Sequence, residues 1–183
     1  NKSAEVVKMV TSLSDFFRTT LSKGHDYITV KEERTHIESY LEIQQFRYQD
    51  ILDYEIQMDE EIYGYIIPKL TLQPLVENAL YHGIKNKRGK GKILITGKKQ
   101  GDKIIFQVID NGKGMTEEEL NSLRKKMAGT DTGDEAKGFG VSNVNQRIKY
   151  YYGGEYGVFF ESKENEGTNA TIIIAAKNIQ LPS

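Results

Sequence analysis

Leu72-Gln-Pro-Leu-Val-Glu-Asn-Ala-Leu-Tyr-His-Gly83 is the stretch on which the reading of the chain turns. Leu72, Leu75, Val76, Ala79 and Leu80 recur at helical spacing, which predicts a single apolar helix here. Pro74 fits its first turn, where a missing N–H forfeits no intrahelical bond. Asn78 and His82 stand four residues apart, so the amide and the imidazole share one face. Such a helix can wall a polar cleft, and the same pattern also describes a helix with two solvated polar residues.

Composition narrows the field. A chain of 183 residues suits one full domain with an appendage and is long enough to bury a core. A net charge of −1 gives no overall field toward nucleic acid or a membrane surface. There is no cysteine, so disulfides, thiolate nucleophiles and Cys-based metal sites are excluded. The three histidines, His25, His36 and His82, form no pair at zinc-ligand spacing. No apolar run reaches the roughly 18–20 residues of a membrane helix, and no signal peptide is visible. The chain starts at Asn1 rather than Met, and is expected to be part of something longer.

Toward the N terminus, Val6, Val10, Leu13 and Phe17 form an a/d stripe over about residues 3–22, widened by Met9, Phe16 and Leu21. The stripe predicts either a helix seeking a partner or an ordinary core helix. Gly24 follows as a stop signal. Thr29-Val-Lys-Glu32 is a capping box that opens a second helix, with Ile37, Tyr40, Leu41, Gln44 and Tyr48 inward and an end near Asp50. Asp53 to Met58 alternates as a half-buried strand does, and Pro68 marks the approach to the helix quoted above.

Toward the C terminus, the basic run from Lys85 to Lys99 reads as a solvated loop and strand face, with Ile93 and Ile95 alternating into the strand. Lys103 to Ile109 predicts a central strand entered through a Gly101-Asp102 hairpin turn. Thr116 to Glu119 opens a short helix through Leu120, Leu123 and Met127, and residues 128–137 form a small, polar loop. Gly138-Phe-Gly140 leads into a helix with Val141, Val144, Ile148 and Tyr151 inward, stopped by Gly153-Gly154. Strands at about 156–162 and 168–177 close the chain across the turn Glu164-Asn-Glu-Gly167. Five strands and three core helices predict an α+β fold, a mixed sheet covered by helices on one face.

Four elements then stand in order: Asn78/His82, Asp110-x-Gly-x-Gly, Gly138-x-Gly140 and Gly167-Thr168. Their chemistry converges on a nucleotide. A carboxylate in an apolar wall accepts the amino group of adenine and rejects guanine. Gly112 and Gly114 let backbone approach a base, while Gly138 and Gly140 offer bare N–H groups where a helix begins and phosphate is favoured. An Asn carbonyl suits Mg²⁺, which takes its other ligands from phosphates and water. Neither a P-loop nor a dinucleotide fingerprint is present. The 115–137 segment lies where a lid belongs.

The ordered set resembles the C-terminal part of LytS/YesM-type sensor histidine kinases, within the gyrase, heat-shock-chaperone, histidine-kinase and MutL ATPase superfamily. Leu72 to Ile84 is similar to that family's asparagine box, Asp110 to Met115 to its first glycine box, and Gly138 to Val144 to its second. Leu13 to Leu21 and Tyr40 to Arg47 fit the linker of the subgroup. The resemblance implies a Bergerat-type two-layer α/β sandwich, a helical dimerisation linker at 1–50 and an ATP-binding catalytic domain at 51–183. It implies ATP and Mg²⁺ as cofactors, with Asn78 the metal ligand. Its nucleotide-binding set would comprise Asn78, His82, Lys85, Asp110, Gly112, Gly114, Met115, Lys137, Gly138, Gly140, Val141 and Thr168. A homodimer, a cytosolic response regulator and a membrane anchor upstream are implied for the whole protein, and no nucleic acid.

Two departures refine this expectation. Hydrolysing members of the superfamily carry a Glu one turn before the metal Asn; here Pro74 stands there, and Glu77 points elsewhere on the helix. That favours phosphoryl transfer over hydrolysis. The family's acceptor histidine setting is absent, since neither His25 nor His36 matches it, so the acceptor is expected before Asn1. An ATP-sensing module that only gates dimerisation, or a kinase resembling the serine-directed anti-sigma factors, are the alternatives.

Overall fold

The computed structural model describes residues 2–21, 26–48, 51–85, 87, 89–129 and 139–178. In chain order these form α1 (Lys2–Thr20), β1 (Tyr27–Thr29), α2 (Val30–Arg47), β2 (Leu52–Met58), β3 (Ile66–Pro68) and α3 (Gln73–Asn78). A π-helical turn (Ala79–Ile84) extends α3, and β4 (Gly91–Gln100), β5 (Lys103–Asp110), α4 (Glu117–Ala128), α5 (Phe139–Tyr152), β6 (Gly157–Lys163) and β7 (Gly167–Ala175) follow. Five strands make one sheet in the order β2-β4-β5-β7-β6, with β5 central as expected. Only β2 and β4 run parallel; the other neighbours are antiparallel.

Period-two alternation sorts the strands cleanly. Ile93 and Ile95 of β4, Ile104, Phe106 and Val108 of β5, Phe160 of β6 and Ile172 of β7 are buried on the helical side. Leu94, Ile105, Ile109 and Ile173, which alternate with them, are only half-buried. Against the buried face pack Leu75, Val76 and Leu80 from the α3 segment and Val141, Val144 and Ile148 from α5. The result is a mixed sheet covered on one face, as the sequence predicts. Val30, Ile37, Tyr40 and Leu41 of α2 belong to the same buried cluster.

The capping boxes form as written. Thr29 accepts from the Glu32 N–H at 3.1 Å and returns its own N–H to that carboxylate at 2.7 Å. Thr116 and Glu119 repeat the exchange at 3.2 and 2.9 Å, and α4 ends on Gly129 in the left-handed region at φ 72°.

Several details differ from the sequence reading. The quoted stretch is not one α-helix: six α-helical residues pass into the π turn, where the Lys85 N–H reaches the Leu80 carbonyl at 3.0 Å. Pro74 does occupy the first turn. β1 and β3 were not expected and pair antiparallel through three residues each. α2 ends at Arg47, short of Asp50, which lies outside the described residues together with Gly24 and His25. On α5 the buried tyrosine is Tyr152, 4% exposed, while Tyr151 is half-buried and shares a 2.7 Å hydroxyl contact with Tyr27. The α1 stripe faces solvent, with Val6 56%, Val10 61% and Phe17 51% exposed. α1 meets α2 instead through Ser12, hydrogen-bonded to Glu42, and through Phe16, stacked on His36 at 4.8 Å.

Candidate functional site

A cavity of about 360 Å³ opens between the α3 segment, α4 and the inner face of the sheet. Asn78, His82 and Gly83 line it from the α3 segment, with Asp110 from the end of β5, Lys113, Gly114 and Met115 from the following loop, and Ser142 from α5. Phe160, Thr168 and Ala170 form its floor, and Leu123, Lys126 and Met127 of α4 face them. The lining is mostly apolar with a few placed polar groups, the usual make-up of a small-molecule site.

At its deep end Asp110 is 5% exposed, and its Oδ1 accepts the Gly112 N–H at 2.8 Å. Burial lifts this carboxyl from its ordinary 3.8 to about 6, against the pull of the Gly112 and Thr168 N–H groups and the charge of Lys87. The fit around it leaves no room for side-chain carbon. A Cβ on Gly112 would lie 2.4 Å from the Gly83 backbone, and one on Gly83 would lie 2.5 Å from Asp110 Oδ1. Gly114 takes φ 65°, and a Cβ there would lie 1.9 Å from the Lys163 carbonyl.

The hydroxyls beside Asp110 have fixed roles. Ser162 Oγ donates to the Gly167 carbonyl at 2.8 Å, which uses its one proton. It therefore accepts from the Met115 N–H at 2.9 Å and from the Thr168 hydroxyl at 2.8 Å. Thr168 has thus committed its proton and offers only lone pairs. An ionised Asp110 offers the same. The buried polar end of the cavity therefore suits a ligand edge that donates.

Of the residues singled out from sequence, Asn78, His82, Asp110, Gly114, Met115 and Thr168 line this one cavity. Gly112 stands behind Asp110 as its N–H donor. Lys85 is not among the lining residues: its ammonium lies over the rings of Tyr81 and Tyr48, 4.8 and 5.2 Å from their centroids. Val141 is core, 4% exposed, and Gly140 lies within the first turn of α5 rather than ahead of it, against Pro74. Lys137 and Gly138 lie outside the described residues. Glu77 is likewise absent from the lining; its carboxylate accepts the Gln73 amide at 2.8 Å on the side facing α2. Sequence reading missed Ser162, Gly83, Lys126 and the apolar lining from Phe160 and Ala170. The alternation of β6 and β7 carried the only signal for Phe160, Ser162 and Ala170, and nothing singled out Gly83 or Lys126.

Known proteins share both the sequence pattern and the fold. The profile described as Histidine kinase-, DNA gyrase B-, and HSP90-like ATPase matches residues 68–178, and a profile described as Histidine kinase matches 1–52. The sensor histidine kinase YesM of Bacillus subtilis is 33% identical over 178 residues, 97% of this chain and 29% of YesM. The sensor protein LytS of Staphylococcus saprophyticus is 29% identical over 179 residues, 97% of this chain and 30% of LytS. The chain therefore spans under a third of the length of these relatives. The catalytic domain of the histidine kinase ThkA superposes with a TM-score of 0.61 at 19% identity, over 84% of this chain and 97% of that domain. Matched over more than half its length, and with the fold that family shares, the chain belongs to the histidine kinase-, DNA gyrase B- and HSP90-like ATPases.

Proposed function

We propose that this chain is the ATP-binding catalytic portion of a two-component sensor histidine kinase, which transfers the γ-phosphoryl of ATP to a histidine outside this sequence for relay to a response regulator. The observation that carries the reading is the acceptor-only pair Asp110 and Thr168 at the closed end of a cavity whose wall also holds Asn78 and His82. An adenine amino group satisfies the buried acceptors, whereas guanine would set its own carbonyl against them. The triphosphate then extends along α3 toward Asn78, His82, Ser142 and the first turn of α5.

The donor set suits Mg²⁺. No cluster of three His, Cys, Asp or Glu side chains capable of caging an ion exists among the described residues, and Asn78 of the lining would lend a single amide oxygen. That matches an ion that takes its remaining ligands from phosphates and water. Asn78 would hold it, and its charge would neutralise the triphosphate during transfer. The chain's own residues orient the nucleotide. Asp110 and Thr168 anchor the base, Met115 and Phe160 contact it through apolar surface, and Lys126 adds positive charge along the wall. With Pro74 one turn before Asn78 and Glu77 turned toward α2, neither position offers the carboxylate that activates water in the hydrolysing members.

His36 is no acceptor in this arrangement, being fully buried and hydrogen-bonded to Gln73 at 2.5 Å. The two profile matches, 1–52 and 68–178, support division into a linker of 1–50 and a nucleotide-binding unit of 51–183. The uncovered stripe of α1 supports a dimeric helical bundle with the acceptor helix. No described helix is long and apolar enough to cross a membrane, and a membrane anchor belongs to the remainder of the protein on this reading. The test is phosphotransfer: the chain with Mg·[γ-³²P]ATP and a dimeric acceptor-helix fragment of a LytS/YesM-type kinase should label the acceptor histidine. ATP binding without label transfer would instead support a nucleotide-sensing module.

A further inference from the structure

α3 has two working faces. Asn78 and His82 look into the cavity, whereas Gln73, Glu77, Tyr81 and Lys85 recur every fourth residue on the side toward α2. The seam they make with α2 is polar. His36 Nε2–H donates to Gln73 Oε1 at 2.5 Å, and the Gln73 amide passes on to Glu77 at 2.8 Å. His36 Nδ1 and Gln44 Oε1, two helical turns apart on α2, are buried without a partner, and the Tyr40 hydroxyl between them faces Tyr81. Such a seam sets no height for α3 by close apolar packing.

The start of α3 is tied to α2 by a charged contact. Glu33 of α2 is fully buried, and its carboxylate accepts the Leu72 N–H at 2.7 Å and the Leu70 N–H at 3.0 Å, with the Thr71 N–H beside them. These residues form the turn from which α3 starts, and Leu72 has no side-chain cap of its own. Leu70 sits in the left-handed region at φ 57°, a conformation a leucine keeps only when its surroundings impose it. Arg147 of α5, whose charge also reaches Glu33, donates to the Lys69 carbonyl at 2.8 Å. The 69–72 turn is thus held between a carboxylate of the linker helix and a guanidinium of the helix that begins beside the phosphate end. Asn78 follows on the same short helix.

We propose that Glu33 is a positioning residue for Asn78: by holding the 70–72 backbone it sets where α3 presents its metal-binding amide, and so ties the nucleotide site to the position of the linker helix. Arg147 supplies the second half of the grip. This inference rests on the reading of Asn78 as the Mg²⁺ ligand. Groups that orient a metal ligand from behind commonly change metal affinity about 10- to 100-fold when removed. The base, bound at Asp110 on a different element, should be unaffected.

The experiment is calorimetric titration of ATP into wild type, E33A, E33Q and R147M, each in Mg²⁺ and in EDTA, with thermal melts alongside. In E33A and R147M the gain in affinity conferred by Mg²⁺ should fall about tenfold, while affinity in EDTA stays within about twofold. E33Q keeps one acceptor oxygen and should fall between. R147M alters only a partly exposed side chain and keeps the test decisive if E33A does not fold. A Mg²⁺-dependent gain equal to wild type in R147M and E33Q overturns the proposal, as does an equal loss with and without Mg²⁺. Wild-type protein that fails to bind ATP would overturn the functional reading itself.

Discussion

Asp110→Asn should make the protein more tolerant of high pH while abolishing nucleotide binding. The carboxyl has a folded-state value of about 6 against 3.8 for the free side chain, with burial the main cause. A folded value raised in this way means that the group's contribution is fully present below the unfolded value and is lost as pH rises through the folded one. The gap corresponds to about 3 kcal/mol in all, of which about 1.4 kcal/mol is lost between about pH 5 and pH 8. The amide cannot ionise, so this loss disappears in the variant. Its Oδ1 can still accept the Gly112 N–H, whereas its NH₂ adds a donor beside the backbone N–H groups of Gly112 and Thr168, a pH-independent mismatch of about 1–3 kcal/mol. Only the slope therefore reports on ionisation. Urea unfolding of both proteins across that range should show the variant gaining about 1.4 kcal/mol on wild type as pH rises. In the same range wild-type affinity for ATP should weaken about tenfold from pH 7 to pH 5, because the proposed base site pairs the adenine amino group with the ionised carboxylate. A stability difference flat in pH would refute the buried-carboxylate argument. ATP affinity unchanged by D110N would refute the base-site assignment.

Gly83→Ala places a carbon 2.5 Å from Asp110 Oδ1; stability should drop about 1–3 kcal/mol by denaturant unfolding, and ATP affinity should fall with it. Asn145→Ala removes a buried amide that accepts the Val158 N–H at 2.9 Å and donates to the Met127 carbonyl at 3.0 Å. It leaves two backbone groups unpaired and should cost about 2–4 kcal/mol, with the cavity wall at Met127 loosened. Val10→Glu alters a side chain 61% exposed and should leave the melting temperature of a monomer essentially unchanged. If the stripe is the dimer seam, the same change should shift the longer protein from dimer to monomer in sedimentation equilibrium.

Much of the architecture was legible because local rules govern it. Both capping boxes, the hairpin at Gly101-Asp102 and the central position of the 103–110 strand follow from side-chain chemistry within a few residues. Misreadings arose where periodicity offers two continuations. After Val141, Val144 and Ile148 the buried row of α5 could run to Tyr151 or Tyr152, and only the Tyr152 hydroxyl bond to the Ile66 carbonyl at 3.3 Å decides it. Three-residue strands such as β1 and β3 are too short to display a period. The π turn leaves no mark in composition. The α1 stripe illustrates the converse limit, since apolar spacing identifies a face that can be buried without identifying its partner, and Ser12 with Phe16 made the contact instead.

The site divides along the same line. Asp110, Gly112 and Gly114 could be read because a carboxylate flanked by glycines announces a close backbone approach, and the structure shows Gly83 as the backbone approached. Ser162, Asn145 and Glu33 could not, since each acts on a partner distant in sequence and looks locally like an ordinary polar residue of a strand or helix. None of these three lines the cavity, yet each fixes an element that carries its wall: Ser162 the Met115 loop, Asn145 the end of α4, Glu33 the start of α3. On the proposed reading the motif residues supply the chemistry of recognition, and the supporting residues supply the distances between them. Variants of the motif should therefore abolish binding outright, whereas variants of the supporting residues should change how base, metal and phosphate affinities are coupled.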